Sequence, residues 1–114
     1  MSRAEDIIRI RHMHDAGQRI LRIVNGVDQT EFANNEEKYL SVTRLLEVIG
    51  EAARQVTDET RKEFPKIPWA QLAGTRNRLI HAYFNVDLDV LWEISQSDVP
   101  RLVADLDILL SNEK

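Results

Sequence analysis

The 114 residues include no cysteine. That removes disulfides, thiolate nucleophiles and thiolate metal sites, and it fits a reducing compartment. No apolar stretch approaches the roughly 20 residues needed to span a bilayer. The opening residues Met1-Ser2-Arg3-Ala4-Glu5-Asp6 lack the apolar run of a signal peptide. A cytoplasmic protein with no membrane attachment is expected. There is no convincing strand alternation, no internal repeat and no low-complexity segment, so neither a sheet nor a solenoid is indicated.

What is present suits one folded domain spanning 1–114. Hydrophobic residues make up 43% and charged residues 30%, outside the range of disordered chains. The net charge is −4, unevenly spread. Residues 1–30 carry five Arg against four acids, and residues 31–81 carry eight basic and eight acidic groups. Residues 82–114 carry seven acids against Arg101 and Lys114. A nucleic-acid partner would have to be met by a local basic patch, not by overall charge.

Apolar residues recur at steps of three and four along most of the chain, which predicts helices. The first runs from about Glu5 to Val27, with Ile10, Met13, Ile20, Val24, Val27 and small Gly17 on its buried stripe, widened by Ile7, Ile8, Ala16, Leu21 and Ile23. Asp28 caps a short turn holding Phe32. Asn34 with Glu37 resembles a capping box and opens a long helix to about Val56, striped by Tyr39, Val42, Leu46, Ile49 and Ala53. Gly50, Ala52 and Ala53 would let another backbone approach closely. Arg44, Glu47, Glu51 and Arg54 form a separate charged stripe. Thr57-Asp58 restarts a short helix ending before Pro65, and Pro68 starts another at Trp69. Gly74 marks a kink or break, followed by a helix from about Thr75 to Phe84 closed by Asn85. Asp87 caps a turn or two carrying Leu88, Leu91, Trp92 and Ile94. Ser97-Asp98 with Pro100 signals a further restart, and the last helix buries Leu102, Leu106, Leu109 and Leu110. The expected fold is all-α, with four main helices and short accessory ones.

Chemistry concentrates in Arg76-Asn77-Arg78-Leu79-Ile80-His81-Ala82-Tyr83. Asn77 and His81 are four apart and share a side of a helix, whereas Arg76 and His81 lie about 140° apart. The pair can converge if the helix ends near His81, or across a cleft with a second subunit. Histidine takes and gives protons near neutral pH, and arginine forks onto phosphate oxygens. Asp87 and Asp89 do not make a convincing metal cluster with His81. An Arg–His pair without metal suits RNA transesterification: the 2′-hydroxyl attacks, a base and an acid move protons, and a cation stabilises the phosphorane. One histidine cannot easily make both transfers, but two copies in a symmetric dimer could divide them. By spacing alone, a structural His81 bonded to a backbone carbonyl fits better than a catalytic one.

The same eight residues resemble the Arg-x4-His-x-Tyr motif of HepT-like toxins in the HEPN superfamily. The likeness extends to Leu45-Leu46-Glu47-Val48-Ile49-Gly50-Glu51-Ala52-Ala53, to Phe64-Pro65-Lys66-Ile67-Pro68-Trp69 and to Tyr83-Phe84-Asn85-Val86-Asp87-Leu88-Asp89. Together these cover nearly the whole chain. The resemblance implies a HEPN-like four-helix up-and-down bundle and a homodimer whose cleft joins both motifs. It implies a metal-independent endoribonuclease toxin of a type VII toxin–antitoxin module, with tRNA or mRNA as substrate and no cofactor. Arg76 and His81 would be the catalytic pair, with Asn77 orienting His81 or the phosphate. The implied partner is a minimal nucleotidyltransferase antitoxin (MntA-like) that transfers AMP to Tyr83, so that bulk and negative charge block the cleft.

Arg78, Arg44, Glu47 and Glu51 are candidate contacts to RNA or to the cleft; a plain surface Arg78 and a solvated α-helical stripe of Arg44/Glu47 and Glu51/Arg54 pairs are the alternatives. His12 and His14, two apart on a helix, make poor metal geometry and read as surface residues. Trp69 and Trp92 read as core or interface anchors. The competing function is a non-catalytic helical binding subunit that docks a nucleotidyltransferase and presents a substrate to it; a generic helical dimer with a structural His81 is a third reading.

Overall fold

The computed structural model describes residues 2–79 and 87–113 and, at Arg76, the backbone alone. Every regular element among these residues is helical. Helix α1 spans Arg3–Val24. It begins two residues earlier than the apolar stripe suggests because Ser2 and Glu5 form a capping box. It ends at Val24, not Val27: Asn25 is extended, and Gly26 turns the chain at φ 75°, a conformation glycine adopts without penalty. Asp28 caps α2 (Gln29–Ala33), which seats the fully buried Phe32.

Helix α3 (Glu36–Gln55) starts one residue later than expected. Its cap is Asn35, whose side chain accepts from the Lys38 N–H at 3.1 Å. Asn34 is instead engaged in closing α2, its side chain donating to the Thr30 carbonyl at 3.0 Å. Thr57 caps α4 (Asp58–Glu63), and Pro68 occupies the cap position of α5 (Trp69–Ala73). Gly74 divides α5 from α6 (Thr75–Leu79). The rest of the expected 75–84 helix, with His81, Tyr83 and Asn85, lies outside the described residues. Asp87 caps α7 (Leu88–Glu93), accepting from the N–H groups of Asp89 and Val90.

The restart expected at Ser97-Asp98 does not occur. Residues Ile94–Asp98 form one π-helical turn that runs directly into α8 (Val99–Ser111), with right-handed helical dihedrals at Glu93, Asp98 and Val99. The Val99 N–H reaches back five residues to the Ile94 carbonyl. Proline lacks an N–H and its ring crowds the carbonyl four residues earlier. The wide turn just before Pro100 lets the helix pass it unbroken, and the buried Ser95 hydroxyl donates to the Trp92 carbonyl at 2.6 Å.

Contacts between helices set the topology. The Arg9 Nε near the start of α1 donates to Gln55 at the end of α3 at 2.9 Å, so the two run antiparallel. Gly50 of α3 meets Leu72 of α5, while Leu46, earlier in α3, shares a cavity with Thr75 and Arg78 of α6. The α5–α6 arm therefore reverses direction again. His14 of α1 pairs with Asp107 of α8 at 2.5 Å, and Gly17 faces Val103, which makes the last helix antiparallel to the first. The fold is an all-α, HEPN-like up-and-down bundle with α2 and α4 as accessories. Its core joins Ile10, Met13 and Ile20 of α1 to Val42, Leu46 and Ile49 of α3 and to Leu102, Leu106 and Leu109 of α8.

Two expectations about burial are corrected. Ile8 is 54% exposed, because it sits beyond the edge of the stripe that faces α3. His14 is largely covered, through its contact with Asp107, whereas His12 is exposed as expected. Trp69 is buried with its indole N–H donating to the Phe64 carbonyl at 3.1 Å. Trp92 packs on Phe32 with ring centroids 5.3 Å apart.

One buried carboxylate locks α1 to the start of α4. Asp6 is 1% exposed and accepts from the Thr57 N–H at 3.1 Å and from the Thr57 and Thr60 hydroxyls at 2.6 Å each. Burial pushes its pKa up, but these hydrogen bonds prevail and hold it below the usual carboxylate range. Arg3 joins Glu63 and Glu113 in ion pairs beside it.

Candidate active site

The eight-residue motif enters the fold through α6. Thr75 and Leu79, four apart, are both buried and hold this short helix against the bundle. The Thr75 hydroxyl donates to the Gln71 carbonyl at 3.2 Å, tying α6 to α5. With those two positions facing inward, Asn77 falls on the outer side, and it is exposed. Arg78 lies on one flank, 3.5 Å from Asp98 at the end of the π-turn. Helical geometry places the backbone of Arg76 about 160° round from that of Arg78.

This separates the candidates into two groups. Arg78 lines a cavity of about 250 Å³ together with Thr75, Ser97, Asp98, Arg101 and Asp105. Arg44, Glu47 and Glu51 lie elsewhere, on the outer face of α3. They border two grooves at once. One, of about 530 Å³, runs between α3 and α1 past Ile8, Arg9 and His12. The other, of about 230 Å³, runs between α3 and the end of α5 past Gly50, Arg54 and Ala73. The structure thus brings Arg44, Glu47 and Glu51 together and keeps Arg78 apart from them. His81 and Tyr83 lie outside the described residues.

Gly50 controls how closely α5 approaches α3. A Cβ at position 50 would stand 2.8 Å from the Leu72 carbonyl oxygen, so only glycine lets α5 lie this near α3. Gly50 thus serves a close contact inside the chain. The ion pair between Arg54 and Glu51 is a weak one: Arg54 Nη1 stands 3.7 Å from Glu51 with both side chains mostly in solvent. Among the described residues, no group of three or more His, Asp or Glu side chains could hold a metal, and no helix is long and apolar enough to cross a membrane.

Sequence reasoning overlooked the α1 side of the larger groove. Ile8 was assigned to the core and Arg9 was not singled out, yet both line it. Asp98 was read only as a helix-start signal, and its pairing with Arg78 depends on the π-turn. No local pattern announces either.

Comparison with known proteins gives a consistent result. The family model described as ribonuclease HepT-like matches residues 13–108. A Methanocaldococcus jannaschii protein carrying an RNase name is 39% identical over 90 residues, covering 79% of this chain and 83% of that protein. A Thermococcus cleftensis protein carrying the name ribonuclease HepT is 40% identical over 72 residues, covering 63% and 66% respectively. A Caldanaerobacter subterraneus protein with an RNase name is 30% identical over 105 residues, covering 92% and 94%. No solved structure matches the chain.

Proposed function

Since this chain belongs to the ribonuclease HepT-like family and is an endoribonuclease, we propose that it cleaves RNA by metal-independent transesterification in a cleft between two copies of itself. The observation that carries this reading is the span of the family match, which includes the whole Arg76–Tyr83 motif and the α3 face beside it. In the proposed reaction the substrate's 2′-hydroxyl attacks the adjacent phosphorus and the bond to the 5′-oxygen breaks. The products are a 2′,3′-cyclic phosphate and a 5′-hydroxyl. His81 of one subunit removes the 2′-proton and His81 of the partner subunit protonates the leaving oxygen. Arg76 holds the phosphoryl oxygens as negative charge builds there. Asn77, exposed on the outer side of α6, orients the phosphate or His81.

The same proposal gives the protein a toxin's role. An MntA-like nucleotidyltransferase antitoxin would add AMP from ATP to the Tyr83 hydroxyl, releasing pyrophosphate. The added bulk and charge would close the cleft to RNA. The substrate would be tRNA or mRNA.

The test is cleavage of RNA by purified protein in chelator. Wild type is expected to cut, and Arg76→Ala and His81→Ala to lose at least about a hundredfold in rate, the usual scale of a positioned acid–base group. Equal cleavage by all three would remove the assignment. Intact-mass spectrometry after incubation with the antitoxin and ATP is expected to show AMP on wild type and none on Tyr83→Phe.

A further inference from the structure

We propose that the cavity between α6, the π-turn and α8 is a subsite for one unstacked guanine of the substrate RNA, read by Arg101 and Asp105. The inference rests on the reading of Arg76 as the partner of the scissile phosphate and adds a base-reading site to it.

The cavity suits a ring. It holds about 250 Å³, below the roughly 300–1,000 Å³ of pockets for drug-sized molecules, so its room is for a base and not for a whole nucleotide. Leu46, Leu72, Ile94, Val99 and Leu102 line it and are all buried, which makes its floor apolar. Polar side chains stand at its mouth: Arg78 and Arg101 are exposed, and Asp98 and Asp105 are half-buried. Two cations and two anions cancel, so the mouth has no net charge to draw a phosphate. An apolar floor under such a mouth matches a flat, neutral ring that both donates and accepts hydrogen bonds. RNA supplies such rings, and proteins that read RNA sequence take up single-stranded bases splayed out of the stack.

The four charges are not equally free. Arg78 stands 3.5 Å from Asp98, so the π-turn holds it as a wall of the cavity. Arg101 and Asp105 lie one turn apart on the same side of α8, at a spacing that lets ion pairs form. They nevertheless pair neither with each other nor with any other described residue. An uncommitted guanidinium and an uncommitted carboxylate, about 6 Å apart along the helix, thus line one cavity. Guanine is the base whose edges match them. Its O6 and N7 accept the two N–H groups of an arginine fork, and its N1–H and N2–H donate together to the two oxygens of a carboxylate. Adenine has an acceptor at N1 and sets a lone pair against Asp105. Uracil and cytosine each offer the carboxylate one donor.

The route of the strand joins this subsite to the motif. Asn77 is exposed on the outer side of α6, between Arg78 on the cavity flank and the backbone of Arg76 on the other. A helix is about 10–12 Å across with its side chains. One strand can therefore set a base in the cavity, cross Asn77 and lay a nearby phosphate beside Arg76.

Fluorescence anisotropy with 2′-O-methyl oligouridines, which have no free 2′-hydroxyl to attack, reads the subsite apart from the chemistry. Each strand carries one guanosine, inosine or adenosine. Wild type is expected to bind the guanosine strand at least about tenfold more tightly than the adenosine strand, with inosine, which lacks the 2-amino group, between them. Asp105→Asn and Arg101→Gln are each expected to bring that ratio close to one. A protein that is only destabilised loses affinity for all three strands alike and leaves the ratio standing. The same preference is expected in kcat/KM on the unmodified RNAs. Equal binding of the three strands by wild type would overturn the subsite, and so would a guanosine preference that both variants keep. A preference that the variants lose, in a protein whose Arg76→Ala form still cuts RNA at full rate, would keep the subsite and remove the reading of Arg76.

Discussion

Replacing Gly50 by alanine sets two effects against each other inside α3. Alanine in a helix interior gains about 0.8–1.0 kcal/mol over glycine. The new Cβ, however, would stand 2.8 Å from the Leu72 carbonyl oxygen. That atom is backbone, so α5 must retreat by roughly half an ångström, and overpacking of this kind costs about 1–3 kcal/mol. Because no side chain can swing away, the upper part of that range applies, and the net loss is about 1–2 kcal/mol. For a domain of this size that lowers Tm by roughly 4–8 °C. The displaced α5 carries α6 with it, so Arg76 shifts relative to the α3 face. Misplacement on this scale is expected to reduce kcat/KM for RNA cleavage by about tenfold. Gly74→Ala is the control. The nearest contact of its Cβ is 3.5 Å and its φ is −91°, so stability and cleavage should stay near wild type. Thermal melts and a fluorogenic RNA assay run well below Tm read both quantities. A Gly50→Ala protein that melts at or above wild type and cleaves normally would refute the claim that this glycine sets the α3–α5 distance.

Asp6 should make stability depend on pH. Its folded pKa is depressed, so its contribution is complete above the unfolded value of about 3.9 and is lost as pH falls through the folded value. Urea melts should show Asp6→Asn less stable by about 1–3 kcal/mol at neutral pH, with the gap closing in acid; a gap that ignores pH would remove the charged carboxylate from the explanation. Phe32 is fully buried against Trp92, so Phe32→Ala should cost about 3–5 kcal/mol and detach α2 and α7 from each other, which denaturant titration followed by Trp fluorescence would detect.

The helical class and most of the core were legible in the sequence because burial repeats with the period of the helix. Ile10, Met13, Ile20, Val42, Leu46, Ile49, Leu102 and Leu106 all lie where their spacing puts them. Choices between neighbours were harder. Asn34 and Asn35 can both cap, and the end of α2 decided which one did. Ser2 and Glu5 spell a capping box, but they precede the apolar stripe and were passed over. Nothing local marks Asp6 as buried, since its partners Thr57 and Thr60 lie some fifty residues away. At the candidate site, the residue types pointed to Arg76 and His81 while spacing alone did not. The separation of Arg78 from Arg44 and Glu51 required the packing of α6, because it depends on which positions, Thr75 and Leu79, turn inward.

The π-turn at Ile94–Asp98 has a consequence for how this chain tolerates changes of length. A five-residue turn inside an α-helix takes up one extra residue while leaving the segments on either side in phase. Deleting a residue there would return the turn to ordinary winding without rotating the apolar face of α8 away from α1. Deleting one within α8 itself would swing every following side chain round by about 100°. The turn therefore uncouples chain length from helix phase at one place, and there the last helix can lose a residue and still present Leu102, Leu106 and Leu109 to the same neighbours.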